Sequence, residues 1–128
     1  MTVDELRKNV VEEAKDYIDD EIDNYIREAS ENDDLEDIFE NMYYNMFNSS
    51  VTGNDCGSYS CSRSLSRALM VDMLDTPEFI DMTKEFDVDV TAHLAKGDWE
   101  SLEVCFRCYL LDEARSDLYD YCVQNYFV

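Results

Sequence analysis

The chain has 128 residues, of which 45% are hydrophobic and 12% aromatic, enough apolar material to fill the core of a single domain spanning 1–128. Its 31 acidic residues outnumber its 10 lysines and arginines, which gives a formal net charge of -21 at pH 7. A surface of this sign repels a phosphate backbone, so we expect no direct nucleic-acid ligand. The partners to expect are metal ions or basic proteins whose own ligand is a polyanion.

We expect neither a membrane-spanning segment nor a signal peptide. No stretch approaches the ~20 apolar residues that cross a bilayer, and the opening residues MTVDELRKN lack the cationic and apolar segments of a signal peptide. We therefore expect a cytoplasmic protein without a membrane partner. The five cysteines are an odd number, which in a reducing compartment favours thiols or metal ligands over a disulfide framework.

Helices should dominate the fold. The sequence holds only three glycines and one proline, and alternation of β-branched residues is rare. We predict an all-α protein, a compact bundle of about five helices. The first runs over about 3–30 after a capping-box pattern of Thr2 and Glu5. A polar break at 32–34 caps a second helix, whose apolar stripe continues to Met46.

The middle of the chain changes in character. Residues 48–60, NSSVTGNDCGSYS, are rich in serine, asparagine and glycine and form the only long loop that we predict. This loop has room for a short hairpin within 48–61. A third helix is expected over about 64–75, and Thr76 followed by Pro77 is typical of an N-cap and the first position of a fourth helix.

The C-terminal part contains the most apolar helix. Residues 87–96 are compatible with one or two helical turns closed by Gly97. Asp98 then caps a last helix that runs towards Tyr126. The helix is apolar nearly all round between 104 and 111, which places it at the centre of the bundle. Four aromatic residues near the end form either the edge of the core or a contact patch: Tyr119, Tyr121, Tyr126 and Phe127.

The first helix concentrates negative charge on the side opposite its apolar stripe. Residues 12–24, EEAKDYIDDEIDN, hold seven carboxylates and one cation, Lys15. Like charges one turn apart destabilise a helix by about 0.2–0.5 kcal/mol per pair, so a surface kept only for solubility would mix its signs. Two interpretations remain, a solvated helix face and a partner-binding surface. We favour the second, and the candidate contacts within one arc of about 100° are Glu12, Asp16, Asp19, Asp20 and Asp23.

The spacing of these charges suggests a mechanism. Ten carboxylates between Asp4 and Glu28 give about one per 4 Å of helix axis, close to the ~3.4 Å between phosphates along one DNA strand. Proteins that handle nucleic acid hold it in a positively charged channel. An acidic helix can occupy such a channel in place of the nucleic acid and reach it rapidly through electrostatic steering.

The cysteines suggest a second feature. Two clustered pairs separated by a long stretch resemble a split structural zinc site, because Zn²⁺ takes four tetrahedral thiolate or imidazole ligands. Cys122 or His93 can replace either ligand of the loop. The alternatives are buried thiols, which act as small hydrophobes, and a less favoured redox pair. The four candidate ligands are Cys56 and Cys61 in the loop, and Cys105 and Cys108 on the last helix.

Three segments carry a resemblance to a known class of proteins: the acidic helix EEAKDYIDDEIDNYIREASENDDLEDIFE, the loop NDCGSYSCS and the helix VCFRCYLLDEA. With these segments the chain resembles the small, acidic, mostly helical anti-CRISPR proteins that phages encode against type II RNA-guided nucleases, the type II-A inhibitors among them. The resemblance implies a non-enzymatic inhibitor in the bacterial host cell that binds the effector nuclease and prevents target DNA binding or cleavage. Because such inhibitors differ widely in sequence, it assigns no residue roles.

Two other hypotheses stand beside the inhibitor. One is a zinc-organised acidic protein-interaction or regulatory domain whose acidity serves only solubility. The other is a small hydrolase that uses paired carboxylates such as Asp112 and Glu113. No histidine, glycine-rich loop or apolar pocket accompanies these carboxylates, so we expect a protein without enzymatic activity.

Overall fold

A computed structural model describes residues 2–47 and 65–127, which form seven α-helices and no strand. The predicted all-α class is confirmed, whereas the predicted number of about five helices is too low for these residues. The hairpin considered for 48–61 lies outside the described residues. In chain order the helices are α1 (Val3–Glu28), α2 (Leu35–Phe47), α3 (Arg67–Met73), α4 (Pro77–Glu85), α5 (Val90–Ala95), α6 (Trp99–Glu113) and α7 (Arg115–Tyr126).

Most helices begin where a side chain caps the first turn. At α1 the Thr2 hydroxyl accepts a hydrogen bond from the Glu5 N–H, and the Glu5 carboxylate accepts one from the Thr2 N–H. Asp34 and Asp37 pair in the same reciprocal way at the start of α2. The Thr76 hydroxyl caps α4 by accepting a hydrogen bond from the N–H three residues further on. These helix starts confirm the sequence-based predictions.

Two differences explain the larger number of helices. The segment 87–96 contains a complete short helix, α5, which is followed by Gly97 with φ 68°, the left-handed conformation that favours glycine after a helix. The helix expected from Asp98 to Tyr126 is interrupted at Ala114, which has φ -92° and ψ 4° and donates its N–H to the Leu111 carbonyl three residues back. This tight turn separates α6, which lies in the interior, from α7, which packs against α1 and α2.

α6 is the central helix of the described structure. It contacts α1, α3, α4, α5 and α7. Every residue from Leu102 to Leu111 is buried except Tyr109, which is partly buried. The prediction that the apolar last helix lies at the centre of the bundle is therefore confirmed for α6. α1 supplies six buried residues to the same core, namely Val3, Leu6, Val10, Ala14, Ile18 and Ile22.

An ion pair lies within this core. The Arg107 Nε is 2.8 Å from the Glu103 Oε2, and the two side chains are only 1% and 4% exposed. The other carboxylate oxygen of Glu103 accepts a hydrogen bond from the backbone N–H of Leu65 at 3.3 Å. The carboxylate thus both compensates a buried guanidinium and ties the chain before α3 to α6.

Replacing Glu103 by glutamine should lower the free energy of unfolding by about 3–5 kcal/mol, because a buried charge without its partner is strongly destabilising. Denaturation followed by helical circular dichroism measures this change. The exposed Glu31, between α1 and α2, offers a matched control, and Glu31→Gln should change stability by less than about 0.5 kcal/mol. Equal stability of the two variants would show that the pair contributes little.

Candidate protein-binding surface

Four of the five predicted contact residues form an exposed acidic face on α1. This acidic face consists of Glu12, Asp16, Asp20 and Asp23, all of which are exposed. None of the four forms an ion pair or a side-chain hydrogen bond with another residue that the structure describes. They span about 17 Å along the helix axis. The opposite side of α1 is packed in the core, so the carboxylates stand on a helix that is fixed from behind.

Asp19, the fifth predicted contact, is also exposed, and it is hydrogen-bonded to α7. Its role as a partner contact stays a prediction. Its Oδ1 accepts hydrogen bonds from the phenol hydroxyls of Tyr121, at 2.7 Å, and Tyr126. The two tyrosine rings meet edge to face with centroids 6.4 Å apart, and the Lys15 ammonium lies 5.1 Å from the centroid of the Tyr121 ring. The hydrogen bonds from Tyr121 and Tyr126 hold the pKa of the Asp19 carboxyl below its usual value. Asp19 therefore fastens α7 to α1.

No pattern in the sequence indicates this cluster of Asp19, Tyr121 and Tyr126. The tyrosines lie 102 and 107 residues from Asp19, and helical periodicity connects only residues within a few turns. Periodicity placed Asp19 correctly on the acidic side of α1. It could not show that the carboxylate meets hydroxyl donors from the end of the chain. The cluster borders the acidic face and fixes its position relative to α7.

The described residues contain half of the predicted zinc site. Cys105 and Cys108 lie on α6 and are 0% and 5% exposed, whereas Cys56 and Cys61 fall outside the described residues. Cys105 is disulfide-bonded in this structure, so the expectation of thiols or metal ligands in place of disulfides is wrong for this residue. Zinc binding through its sulfur would require reduction of that bond. Within 2–47 and 65–127, no three His, Cys, Asp or Glu residues are grouped to hold a metal ion. The zinc site stays a prediction.

The two substitute ligands occupy structural positions. Cys122 is buried on α7, and burial raises the pKa of its thiol to about 11, which keeps it protonated at neutral pH. His93 on α5 is 5% exposed, and its Nδ1 lies 3.1 Å from the Asp98 Oδ2. Asp98 also accepts a hydrogen bond from the Ser101 N–H as the N-cap of α6. The His93 contact therefore links α5 to the start of the central helix.

The carboxylates considered for hydrolysis have different neighbours. Asp112 accepts a hydrogen bond from the Tyr43 hydroxyl at 2.8 Å, and burial together with this carboxylate raises the pKa of Tyr43. Glu113 lies 3.6 Å from the guanidinium of Arg7 on α1. Each carboxylate thus joins α6 to another helix. Because neighbouring residues on a helix project about 100° apart, Asp112 and Glu113 point in different directions.

Replacing both Tyr121 and Tyr126 by phenylalanine should raise the pKa of the Asp19 carboxyl towards the ordinary value of about 3.9, because the hydrogen bonds that favour its charged form are lost. An NMR titration of the carboxyl carbon measures this pKa. Tyr44 is 63% exposed, so Tyr44→Phe is the matched control and should leave Asp19 unchanged. An Asp19 pKa that is equal in the wild-type protein and the double variant would contradict the assigned hydrogen bonds.

The same contact makes stability depend on pH. The folded-state pKa of Asp19 lies below the unfolded value. Its contribution to stability is therefore present above the unfolded pKa and is lost as the pH falls through the folded pKa. In the Tyr121→Phe, Tyr126→Phe variant, the free energy of unfolding should fall less steeply over this acidic range than in the wild-type protein.

None of the described helices is both long and apolar enough to cross a bilayer. The chain matches no protein-family description, no curated protein and no solved structure.

Proposed function

We propose that this protein is a non-enzymatic inhibitor of the anti-CRISPR kind, which binds a basic type II RNA-guided effector nuclease and prevents target DNA binding or cleavage. The observation that carries the proposal is the acidic face: Glu12, Asp16, Asp20 and Asp23 are exposed on one helix without a cationic partner among the described residues. Exposed carboxylates without such a partner do not connect α1 to another described part of the fold. They are available to lysines and arginines of another protein.

The helix that carries the acidic face is held in place. α1 is 26 residues long, or about 39 Å, and it packs against α2, α6 and α7. The capping box satisfies backbone N–H groups of its first turn. The hydrogen bonds from Tyr121 and Tyr126 to Asp19 attach its other side to α7. A surface that is already ordered loses little conformational entropy on binding, so more of the electrostatic attraction is retained as affinity.

The charge of the whole chain supports the same function. A formal net charge of -21 attracts a basic protein over distances of about a Debye length and speeds up encounter. Once bound, the carboxylates would neutralise cationic side chains that otherwise contact phosphates. Binding should therefore weaken as salt is raised, as nucleic-acid binding to the same channel does.

The acidic face is tested by neutralising it without removing side-chain volume. The variant with Glu12→Gln, Asp16→Asn, Asp20→Asn and Asp23→Asn should bind a guide-loaded type II effector at least about tenfold more weakly, or ~1.4 kcal/mol, and inhibit DNA cleavage correspondingly less. Calorimetry at several salt concentrations gives the affinity. The loss should be largest at low salt, where charges are least screened.

The control variant makes the same change in net charge elsewhere. Four exposed acids outside the acidic face can be neutralised together, and this variant should keep most of the wild-type affinity. Equal losses in the two variants would mean that total charge, not the acidic face, drives binding. An unchanged affinity of the acidic-face variant would contradict the proposal. The control substitutions are Glu31→Gln, Asp72→Asn, Asp75→Asn and Asp87→Asn.

The alternative function is a zinc-organised acidic interaction domain. The observation that favours it is that Cys105 and Cys108 stand three residues apart in the buried part of α6, a spacing that lets two sulfurs reach one ion once the disulfide at Cys105 is reduced. We predict about one equivalent of zinc in protein purified under reducing conditions, and loss of helical structure on chelation. Elemental analysis that finds less than about a tenth of an equivalent would contradict a structural zinc site.

A further inference from the structure

A groove between α2 and α7 combines carboxylates with aromatic rings. Its volume is about 430 Å³. Phe39 and Tyr119 provide the rings, while Glu36 and Glu40 from α2 and Asp120 from α7 provide the carboxylates. Arg115 is the single cationic residue in its lining. The groove is therefore acidic and aromatic at once, unlike the acidic face of α1.

Arg115 shows how this part of the surface holds a guanidinium. Its Nη2 lies 3.0 Å from the Glu40 Oε1, and its Cζ lies 4.9 Å from the centroid of the Tyr43 ring. A planar guanidinium gains both from the face of an aromatic ring and from a carboxylate. Because Arg115 is placed by Glu40 and Tyr43, two other carboxylates of the groove, Glu36 and Asp120, keep their charge uncompensated.

The Tyr119 ring lies in the same groove as the carboxylates of Glu36 and Asp120. It packs edge-on against Phe39, with centroids 5.3 Å apart and an interplanar angle of 72°. Burial, and then the negative charges of Glu36, Asp34 and Asp120, raise the pKa of Tyr119. Neither Glu36 nor Asp120 forms an ion pair or side-chain hydrogen bond inside the described part of the chain. One carboxylate stands on each helix beside a partly exposed ring.

We propose that this groove receives one arginine side chain of a basic partner protein, with its guanidinium against the Tyr119 ring and hydrogen-bonded to Glu36 and Asp120. Arginine fits better than lysine, because its planar fork can stack on a ring and donate to two carboxylates at the same time. The identity of the partner rests on the proposed function, whereas the arginine specificity does not. The groove would add a directional contact to the less specific attraction of the acidic face.

A peptide experiment tests the groove without any nuclease. Acetylated and amidated Gly-Arg-Gly should shift the NMR signals of the Tyr119 ring and the Asp120 amide, with a Kd on the order of millimolar, as expected for one desolvated side chain. The Gly-Lys-Gly peptide should bind more weakly, and the peptide with neutral citrulline should cause no saturable shift. Equal binding of the arginine and citrulline peptides would overturn the proposal.

Two double variants test whether the arginine peptide binds in the groove. Glu36→Gln with Asp120→Asn should weaken Gly-Arg-Gly binding at least about fivefold, or ~1 kcal/mol. Asp72→Asn with Asp75→Asn makes the same change in net charge away from the groove and should leave the Kd unchanged. Well-dispersed amide spectra of both variants confirm that they are folded. Shifts that map to the acidic face of α1 instead of the groove would also overturn the proposal.

The proposed arginine binding in the groove and the proposed inhibition of an effector can be told apart, because the peptide experiment tests the first and effector binding tests the second. If the arginine peptide binds in the groove while no effector binds the protein, the groove stands and the assigned partner is wrong. If the effector binds through the acidic face while the peptides do not distinguish arginine from citrulline, the inhibitor proposal stands and the groove is wrong.

Discussion

The packing of α6 against α1 is the interaction on which the other features depend, because the formal net charge of -21 opposes a compact chain. Each fully buried leucine, isoleucine or phenylalanine contributes about 1.5–3 kcal/mol, whereas a like-charge pair one turn apart on a helix costs about 0.2–0.5 kcal/mol. α1 buries six apolar residues along the side that carries none of the acidic face. Burial therefore outweighs the local repulsion, and α1 can be both a core helix and a charged one.

This division of α1 links the stability of the fold to the proposed function. The buried stripe fixes the axis of the helix, and the tyrosines of α7 fix one edge of it through Asp19. The acidic face is left with four exposed carboxylates over about 17 Å of the helix axis, or about one per 5.5 Å, which is wider than the ~3.4 Å between phosphates along one nucleic-acid strand. A disordered acidic segment of the same composition would lose more entropy on binding. In the proposed arginine contact, the groove between α2 and α7 adds an aromatic ring, which a row of carboxylates lacks.

Features encoded by nearby residues could be predicted from the sequence. The capping of α1 by Thr2 and Glu5 needs residues only three positions apart, and the outward placement of Asp16 and Asp20 follows from the period of one helix. Ala114 is different, because neither glycine nor proline marks the break there and only packing of the complete chain favours it. The Asp19 cluster joins residues more than 100 positions apart. Glu103 and Arg107 have the i,i+4 spacing of an intrahelical ion pair, so the pair itself could be predicted from the sequence, whereas its burial follows from the packing around α6.

The proposed role of the acidic face is to occupy the place of nucleic acid on its partner. It is tested most directly by an equilibrium competition in which target DNA is titrated into a complex of a guide-loaded effector with fluorescently labelled protein, and the bound fraction is followed by anisotropy. Mutual exclusion predicts that DNA displaces the labelled protein and that the apparent Kd rises in proportion to the DNA concentration. A ternary complex in which the protein keeps its affinity while DNA is bound would contradict this role.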